Sequence, residues 1–380
     1  MSKKLLCLLK EFEKSDVYDV HIVNICMRIT AKHKQKSKQV KKEKQGLSNG
    51  LDNELYNKDK CYICKVPLLD VQIICSICTV FNNLKRNQTK LLVNKVALVT
   101  GGRIKIGFYT ALKLLRSGVR VIVTTRFGDD ALKRYGAEID YSFFKDSLDV
   151  VECDFTCLKD VNRLISYIKT EYVRIDYLIN NAAQTIYRPR EFYKYIHNSS
   201  DGSSNCSSQL STYFPPGFVD EHNQQIDLRP VNSWVEKIED VNIYELVEVL
   251  TINTIVPFYI TQQLLPCLKS EKGKGYSYVI NVSSMEGKFS RYKASTHPHT
   301  NMAKASLNMM TRTCGIDLKK NYKIIMVSVD TGWNTIEEPL SYDIKAPLDC
   351  IDGAARILDP IYSGLKHPGI FYKDFVKTTW

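Results

Sequence analysis

The chain has 380 residues, 44% hydrophobic and 25% charged, with a formal charge of +12. No apolar run reaches the roughly 18 residues that a membrane-spanning helix needs, and the apolar patch Leu5–Leu9 is followed at once by Glu11 and Glu13, which argues against a secretory signal. The charge is uneven: residues 1–50 carry twelve Lys/Arg against five Asp/Glu and residues 51–100 seven against four, so the other 280 residues hold only +2 and give no reason to expect a polyanionic substrate.

In chain order, residues 1–50 read as a basic N-terminal extension and linker. Ala31–Gln45 is rich in Lys and Gln and cannot bury a core. It reads first as a solvated linker; residues 32–44 are also basic enough to act as a nuclear-import segment. Residues 55–90 form a cysteine module, in which Cys61, Cys64, Cys75 and Cys78 make a C-x2-C-x10-C-x2-C pattern. Each CxxC turns two thiolates toward one point, and two such knuckles predict a tetrahedral all-sulfur site for a structural zinc ion, with a mononuclear iron as the weaker alternative. The other eight of the twelve cysteines are scattered singly, which suits a reducing, cytoplasmic compartment better than a disulfide framework. The module itself carries few Lys/Arg, which argues against a nucleic-acid partner.

From residue 93 to 380 the texture changes to alternating strand and helix signals. The strands are read at Val96–Thr100, Val119–Thr125, Val150–Cys153, Tyr177–Asn180, Tyr278–Val282 and Ile324–Val329. The helices are read at Ile104–Leu115, Leu158–Thr170, Ile243–Leu268 and Thr300–Leu318. Strands separated by helices predict an α/β class, with a doubly wound, Rossmann-type parallel sheet covered on both faces. Residues 188–239 break the rhythm. They contain Ser199-Ser200-Asp201-Gly202-Ser203-Ser204 and Pro215-Pro216-Gly217, and read as an insertion near the ligand-binding edge, either a lid or substrate-specificity loop, or a low-complexity loop.

The strand Val96–Thr100 runs into Gly101-Gly102-Arg103-Ile104-Lys105-Ile106-Gly107. Glycines at a strand-to-helix turn let a pyrophosphate approach backbone N–H groups at a positive helix end. Asp154, Asn180-Asn181-Ala182-Ala183, Asn253, Ile280-Asn281-Val282-Ser283-Ser284 and Thr331-Gly332-Trp333-Asn334-Thr335 follow in order. This ordered set resembles the short-chain dehydrogenase/reductase family. It is similar in particular to a divergent subgroup in which a four-cysteine module precedes a TGGRxKIG turn. The resemblance implies cofactor contacts from Gly101, Gly102, Arg103, Lys105, Ile106, Gly107, Asp154, Asn180, Ala182, Lys304, Gly332 and Thr335. Lys105 stands where the family has the middle glycine of the turn. Arg126 follows the second strand, where NAD readers place an acid, and Arg103 lies nearby. Two guanidinium groups suit a 2′-phosphate, so NADP(H) is expected rather than NAD(H).

The resemblance also implies hydride exchange with a small carbonyl or alcohol substrate. Asn253 supports a relay water, Ser284 polarises the oxygen, Lys304 acts on the proton donor, and two copies pair through the long helices. The family's tyrosine, four residues before the lysine, is Thr300 here, and the gap from Ser284 is three residues longer than usual. An aliphatic alcohol is far less acidic than a phenol. Tyr292, His297 and His299 are the nearby replacements, with His299 placed first because it precedes the helix directly. The alternative is a catalytically impaired dinucleotide-binding scaffold or sensor, with the zinc module as an interaction surface.

Overall fold

The computed structural model describes residues 60–68, 72–193, 196, 212–215, 217–270, 275–290, 293–339 and 346–380. The basic extension, Tyr292 and the middle of the insertion lie outside them. The chain divides into two units, Met1–Leu84 and Lys85–Trp380.

In the first unit, Lys60 and Pro67 form an antiparallel bridge around the first CxxC. Lys65 takes a left-handed φ of 61°, which turns the chain back after Cys64. The second CxxC straddles the start of α1 (Ser76–Asn87), so Cys78 sits in its first turn. Cys61, Cys64 and Cys78 are buried beneath Ile63, Leu68 and Ile74.

The second unit is one sheet of β1 (Val96–Thr100), β2 (Arg120–Thr125), β3 (Leu148–Glu152), β4 (Tyr177–Asn180), β5 (Ser277–Ser283), β6 (Ile324–Asp330), β7 (Ile370–Lys373) and β8 (Val376–Thr378). The order is β3-β2-β1-β4-β5-β6-β7-β8. Every pairing is parallel except β7 with β8. β1 and β4 have the bounds read from the sequence, because short β-branched runs buried on both faces leave little choice. β7 and β8 are additions that the sequence reading did not contain.

Side chains alternate between the two faces with a period of two. Ala97, Val99, Val121, Val123, Ile179 and Ile280 face α2 (Lys105–Arg116) and α7 (Cys350–Tyr362). Leu98, Ile122, Leu178 and Val279 face α4 (Leu158–Glu171) and α5 (Ile243–Gln263). Each fully buried aliphatic side chain contributes about 1.5–3 kcal/mol. Two further helices are α3 (Gly128–Gly136) after β2 and α6 (Pro298–Tyr322) after β5.

Two expected helices differ in detail. The stretch read as one helix over Ile243–Leu268 contains a π turn at Thr251–Ile255 and a break at Leu264 before Leu265–Leu268. Helix α5 is long and apolar enough to cross a membrane by length and composition. Here it covers the sheet with Val256 and Ile260 and holds Asn253 in its π turn. Helix α6 begins two residues earlier than expected, at Pro298, with His297 as its N-cap.

Candidate functional site

All seven parallel strands end on one edge, and the order reverses between β1 and β4, where ligands of open α/β sheets bind. The turn from β1 to α2 lies at this point. Gly101 has a φ of 67°, which a side chain would strain. Gly107 lies so close to the strand ends that a Cβ there would stand 2.1 Å from Gly101 O. Asn181 Nδ2 donates to Thr100 O at 3.0 Å and to Gly101 O at 3.1 Å. Thr100 Oγ1 accepts from Asn181 N and Ala182 N, both at 3.0 Å. Thus β4's exit holds the glycine turn in shape.

Helix α2 starts with no side-chain cap at Ile104 and no acid in its first turn. Its first N–H groups and positive end are free for an anion. That is the fit a dinucleotide pyrophosphate requires. Lys105 keeps a left-handed φ of 54° although it carries a side chain, so the glycine conformation survives at a cost of about 1 kcal/mol or more. The Lys105 charge bears on His222 and on Cys350, whose Nε2 and Sγ lie 3.6 Å apart. Ile106 packs against Gly353 of α7.

At the exits of β1 and β2, Arg103 and Arg126 both lie over the Phe127 ring, at 5.2 and 5.4 Å. Arg126 is exposed and donates to Tyr193 Oη at 2.8 Å. Arg103 is buried and donates to Asp130 at 2.6 Å. Burial raises the Asp130 carboxyl, but hydrogen bonds from Arg134 and Arg103 bring it below the usual range. Gly102 O accepts from the buried Tyr135 hydroxyl at 2.7 Å. Asp154 Oδ1 accepts from Thr156 N and Oγ1, both at 2.8 Å, which fixes its carboxyl at the end of β3.

Asn180 is placed differently from the expectation of a cofactor contact. It is 2% exposed, and its Nδ2 donates to Thr261 Oγ1 and Asn281 Oδ1. Asn281 passes the chain on to Thr311, which also accepts from Ser328. Asn180, Asn281 and Ser328 are in register on three adjacent strands, and form an internal polar belt facing α6. The next residue, Asn181, is the one that reaches the cofactor turn. The side-chain alternation of β4 could have shown this.

Past the end of β4, Asn253 clamps Gln184: its Oδ1 accepts from Gln184 N at 2.7 Å and its Nδ2 donates to Gln184 O at 2.8 Å. Ser284 follows β5 and is half-buried, and its hydroxyl has no partner among the described residues. Lys304 Nζ donates to Val282 O at 3.0 Å. Burial lowers the Lys304 ammonium to about 8, against the opposing pull of Glu286 and Asp330. Thr300 shares its helical face, four residues before, and its buried hydroxyl has no partner among the described residues. His299 is 1% exposed and faces α5, with Nε2 3.5 Å from Glu245 Oε1. Gly332 N donates to Asp330 Oδ1 at 2.7 Å, and Thr335 Oγ1 donates to Glu337 at 2.8 Å, which shapes the loop after β6.

The described parts of the insertion are fixed along this edge. Arg134 donates to His222 O and Asn223 O, Asn232 Nδ2 donates to Glu337 O, and His297 N donates to Glu236 O. The insertion therefore links the exit of β2 with the exits of β5 and β6.

In the first unit, the four sulfurs of Cys61, Cys64, Cys75 and Cys78 all lie within 4.8 Å of one another. Cys64 Sγ and Cys75 Sγ are 3.6 Å apart. A tetrahedral zinc with bonds of about 2.3 Å sets its sulfurs roughly 3.8 Å apart, so the cage has the right size. Cys75 N donates to Cys61 Sγ at 3.3 Å. Hydrogen bonding from the neighbouring cysteines holds the Cys61 thiol far below its ordinary range.

A short chain dehydrogenase model matches residues 95–216. The uncharacterized protein R665 of Acanthamoeba polyphaga mimivirus is 32% identical over 341 residues, covering 80% of this chain and 71% of that protein. Human polyprenol dehydrogenase is 30% identical over 89 residues, 23% of this chain and 27% of that enzyme. Momilactone A synthase of Oryza sativa subsp. japonica is 33% identical over 91 residues, 24% of this chain and 31% of that enzyme. The chain spans under a third of the length of these two enzymes. Among solved structures, an NADPH-bound carbonyl reductase from chicken fatty liver matches with a TM-score of 0.54 at 19% identity, over 76% of this chain and 100% of that one. The Pseudomonas aeruginosa RhlG/NADP complex matches with a TM-score of 0.52 at 19% identity, over 74% of this chain and 95% of that one. Both agree in fold. With the matched model, the doubly wound sheet order and a relative aligned over most of its length, the chain belongs to the short-chain dehydrogenase family.

Proposed function

We propose that the chain is an NADP(H)-dependent oxidoreductase acting on a small carbonyl or alcohol, with a structural zinc ion in its cysteine cage. The observation that carries this reading is the meeting, on one sheet edge, of an uncapped glycine-turned helix with Ser284 and Lys304. When bound, the nicotinamide dinucleotide supplies or accepts the hydride. The turn Gly101–Gly107 and the N-terminus of α2 hold its phosphates. Ser284 has a free hydroxyl with which to donate to the substrate oxygen. Lys304, with its lowered pKa, exchanges its proton near neutral pH. Asn253 fixes the Gln184 backbone beside the site. Mixing the full chain with NADPH and a panel of aldehydes and ketones tests the reading, and absence of NADPH oxidation with every carbonyl would sink it.

The choice of NADP rests on Arg103 and Arg126 flanking Phe127. Arg126→Ala is expected to weaken NADPH about tenfold or more, the value of one charge-assisted hydrogen bond, and to leave NADH unchanged. Fluorescence titration with both cofactors checks this.

One observation favours a second reading, a dinucleotide-binding scaffold or sensor. Thr300 places a weakly acidic, unpartnered hydroxyl where the family has a phenol. That reading predicts tight NADPH binding without turnover. The exposed Ile255, Phe258, Met302 and Met309 on α5 and α6 support pairing of two copies through these helices.

For the cysteine cage, the sulfur spacing supports zinc. The purified chain is expected to hold one zinc ion, and Cys75→Ser to weaken retention more than about a hundredfold. Metal content after dialysis against a graded chelator reads the difference. A full zinc complement in the variant would count against the cage.

A further inference from the structure

Thr300 leaves the substrate oxygen without the family's proton donor. On a helix, the residue that shares the face of Lys304 lies four positions before it, and it is Thr300. His297 caps the same helix three residues before Thr300, and the Glu286 carboxylate acts on both His297 and Lys304. His299, five positions before, is turned about 140° away, and it meets Glu245 instead.

His297 is held in an unusual way. It caps α6 with a left-handed φ of 43°, a conformation that non-glycine residues adopt mainly where other contacts impose it. Its backbone N donates to Glu236 O at 2.7 Å, and the preceding Thr296 forms an antiparallel bridge with Lys237. The imidazole stacks on Trp234, with ring centres 4.1 Å apart and planes 10° apart. Nδ1 lies 2.8 Å from Trp234 O and 3.0 Å from Thr296 Oγ1. A carbonyl only accepts, so Nδ1 carries the hydrogen. The neutral ring therefore has its lone pair on Nε2. Nε2 makes no hydrogen bond among the described residues, although His297 is only 9% exposed. A backbone carbonyl on one ring nitrogen and a free second nitrogen is the arrangement of a poised acid–base group. Apart from the Thr296 hydroxyl at 3.0 Å from Nδ1, this hold, from Trp234, Glu236 and Lys237, comes from the 188–239 insertion.

We propose that Nε2 of His297 exchanges the proton with the substrate oxygen and that the insertion holds it in place for that task. This rests on the oxidoreductase reading. In reduction, the carbonyl carbon takes the hydride of the reduced nicotinamide and the C=O π pair moves to oxygen. The oxygen takes the proton from the imidazolium Nε2–H. The products are the alcohol, the oxidised dinucleotide and neutral imidazole, which water then reprotonates. Oxidation runs the same transfers backward. Burial lowers the His297 pKa, while the Trp234 carbonyl and Glu286 pull it up and His299 and Lys293 push it down. The acid form therefore fills below the ordinary histidine range of about 6.5, and reduction slows as pH rises through that point.

The test uses the full chain, with NADPH and the best carbonyl of the panel, from pH 5 to 9. Wild type should show a reduction limb falling with a pKa below about 6.5. His297→Asn should lower kcat about a hundredfold to ten-thousandfold and remove that limb, while NADPH affinity by fluorescence stays within about twofold. His367→Asn, an exposed histidine far along the chain, serves as the comparison. Histidine Cε1–H NMR of wild type should show one resonance, absent in His297→Asn, that titrates below 6.5 and shifts when NADPH and a carbonyl inhibitor bind together. A wild-type profile without the limb overturns the proposal even where the variant does not fold. Retained rates in a folded, NADPH-binding variant overturn it alone, leaving the oxidoreductase reading standing. NADPH binding with no turnover of any carbonyl overturns both.

Discussion

Lys304→Met is expected to abolish turnover and, at the same time, to raise the unfolding temperature at pH 7. The Lys304 ammonium is buried at 8% exposure and keeps one hydrogen bond, to Val282 O. Burial lowers its pKa from 10.5 to about 8. A folded pKa below the unfolded one means that the unfolded chain binds the proton more tightly. Stability then rises with pH between about 8 and 10.5. Below pH 8 both states are charged, and the folded state carries the whole penalty, about 3 kcal/mol. Methionine has similar length and no charge, so it removes that penalty. Loss of the bond to Val282 offsets part of the gain, which leaves about 1–2 kcal/mol, a few degrees in Tm for a chain of this size. Thermal unfolding at pH 7 and at pH 10 separates the effects: the advantage of the variant should shrink at the higher pH. In the same samples kcat should fall at least about a hundredfold. A variant less stable at pH 7 would show that the ammonium stabilises the fold, and the argument would fail.

Gly107→Ala is expected to destroy dinucleotide binding. The added Cβ would stand 2.1 Å from Gly101 O and 2.5 Å from Asn181 Nδ2. Neither neighbour is the loose end of a flexible side chain. One is backbone in the turn, and the other is fixed by its bonds to Thr100 O and Gly101 O. Relief requires α2 to move off the end of β1 by about 1 Å, and that movement breaks the cradle of N–H groups. The expected loss is more than about a hundredfold in NADPH affinity and about 2–4 kcal/mol in stability. Titration calorimetry and thermal unfolding of the variant measure the two. Affinity within threefold of wild type would show that the turn is not the phosphate site.

The parts of this fold that were legible in the sequence are those set by local physics. Val96–Thr100 and Tyr177–Asn180 are short buried runs of β-formers, and the glycine turn needs only its own residues to be recognised. Helix α7 was hidden because Gly353 and Pro360 interrupt it and because Asp352, Arg356 and Asp359 make it look exposed. All three are buried: Arg356 pairs with Asp374, Asp352 closes a capping box with Asp349, and Asp359 binds Lys85. No helical periodicity can show that a charge has a distant partner. The candidate site divides in the same way. Ser284, Asn253 and Lys304 were named from the resemblance of their motifs, in order, to the family. The direction of Asn180 and the hold on His297 depend on strands and a loop far away in sequence, which a single pass along the chain does not bring together.

The insertion also has a consequence for the order in which the molecule is made. Tyr177 and Tyr278 are neighbours in the sheet although they are 101 positions apart. Closing so long a crossover costs little in equilibrium stability, about 0.6 kcal/mol for each doubling of its length, but distant pairings form slowly. Residues 96–180 contain β1 to β4, joined by short crossovers, and they include the glycine turn and Arg126. That half can assemble on the ribosome while Ser284, His297 and Lys304 are still unmade. On the proposed oxidoreductase reading, the nascent protein has its nucleotide platform before the residues proposed for its chemistry, and the step that adds β5 to the sheet brings the two together.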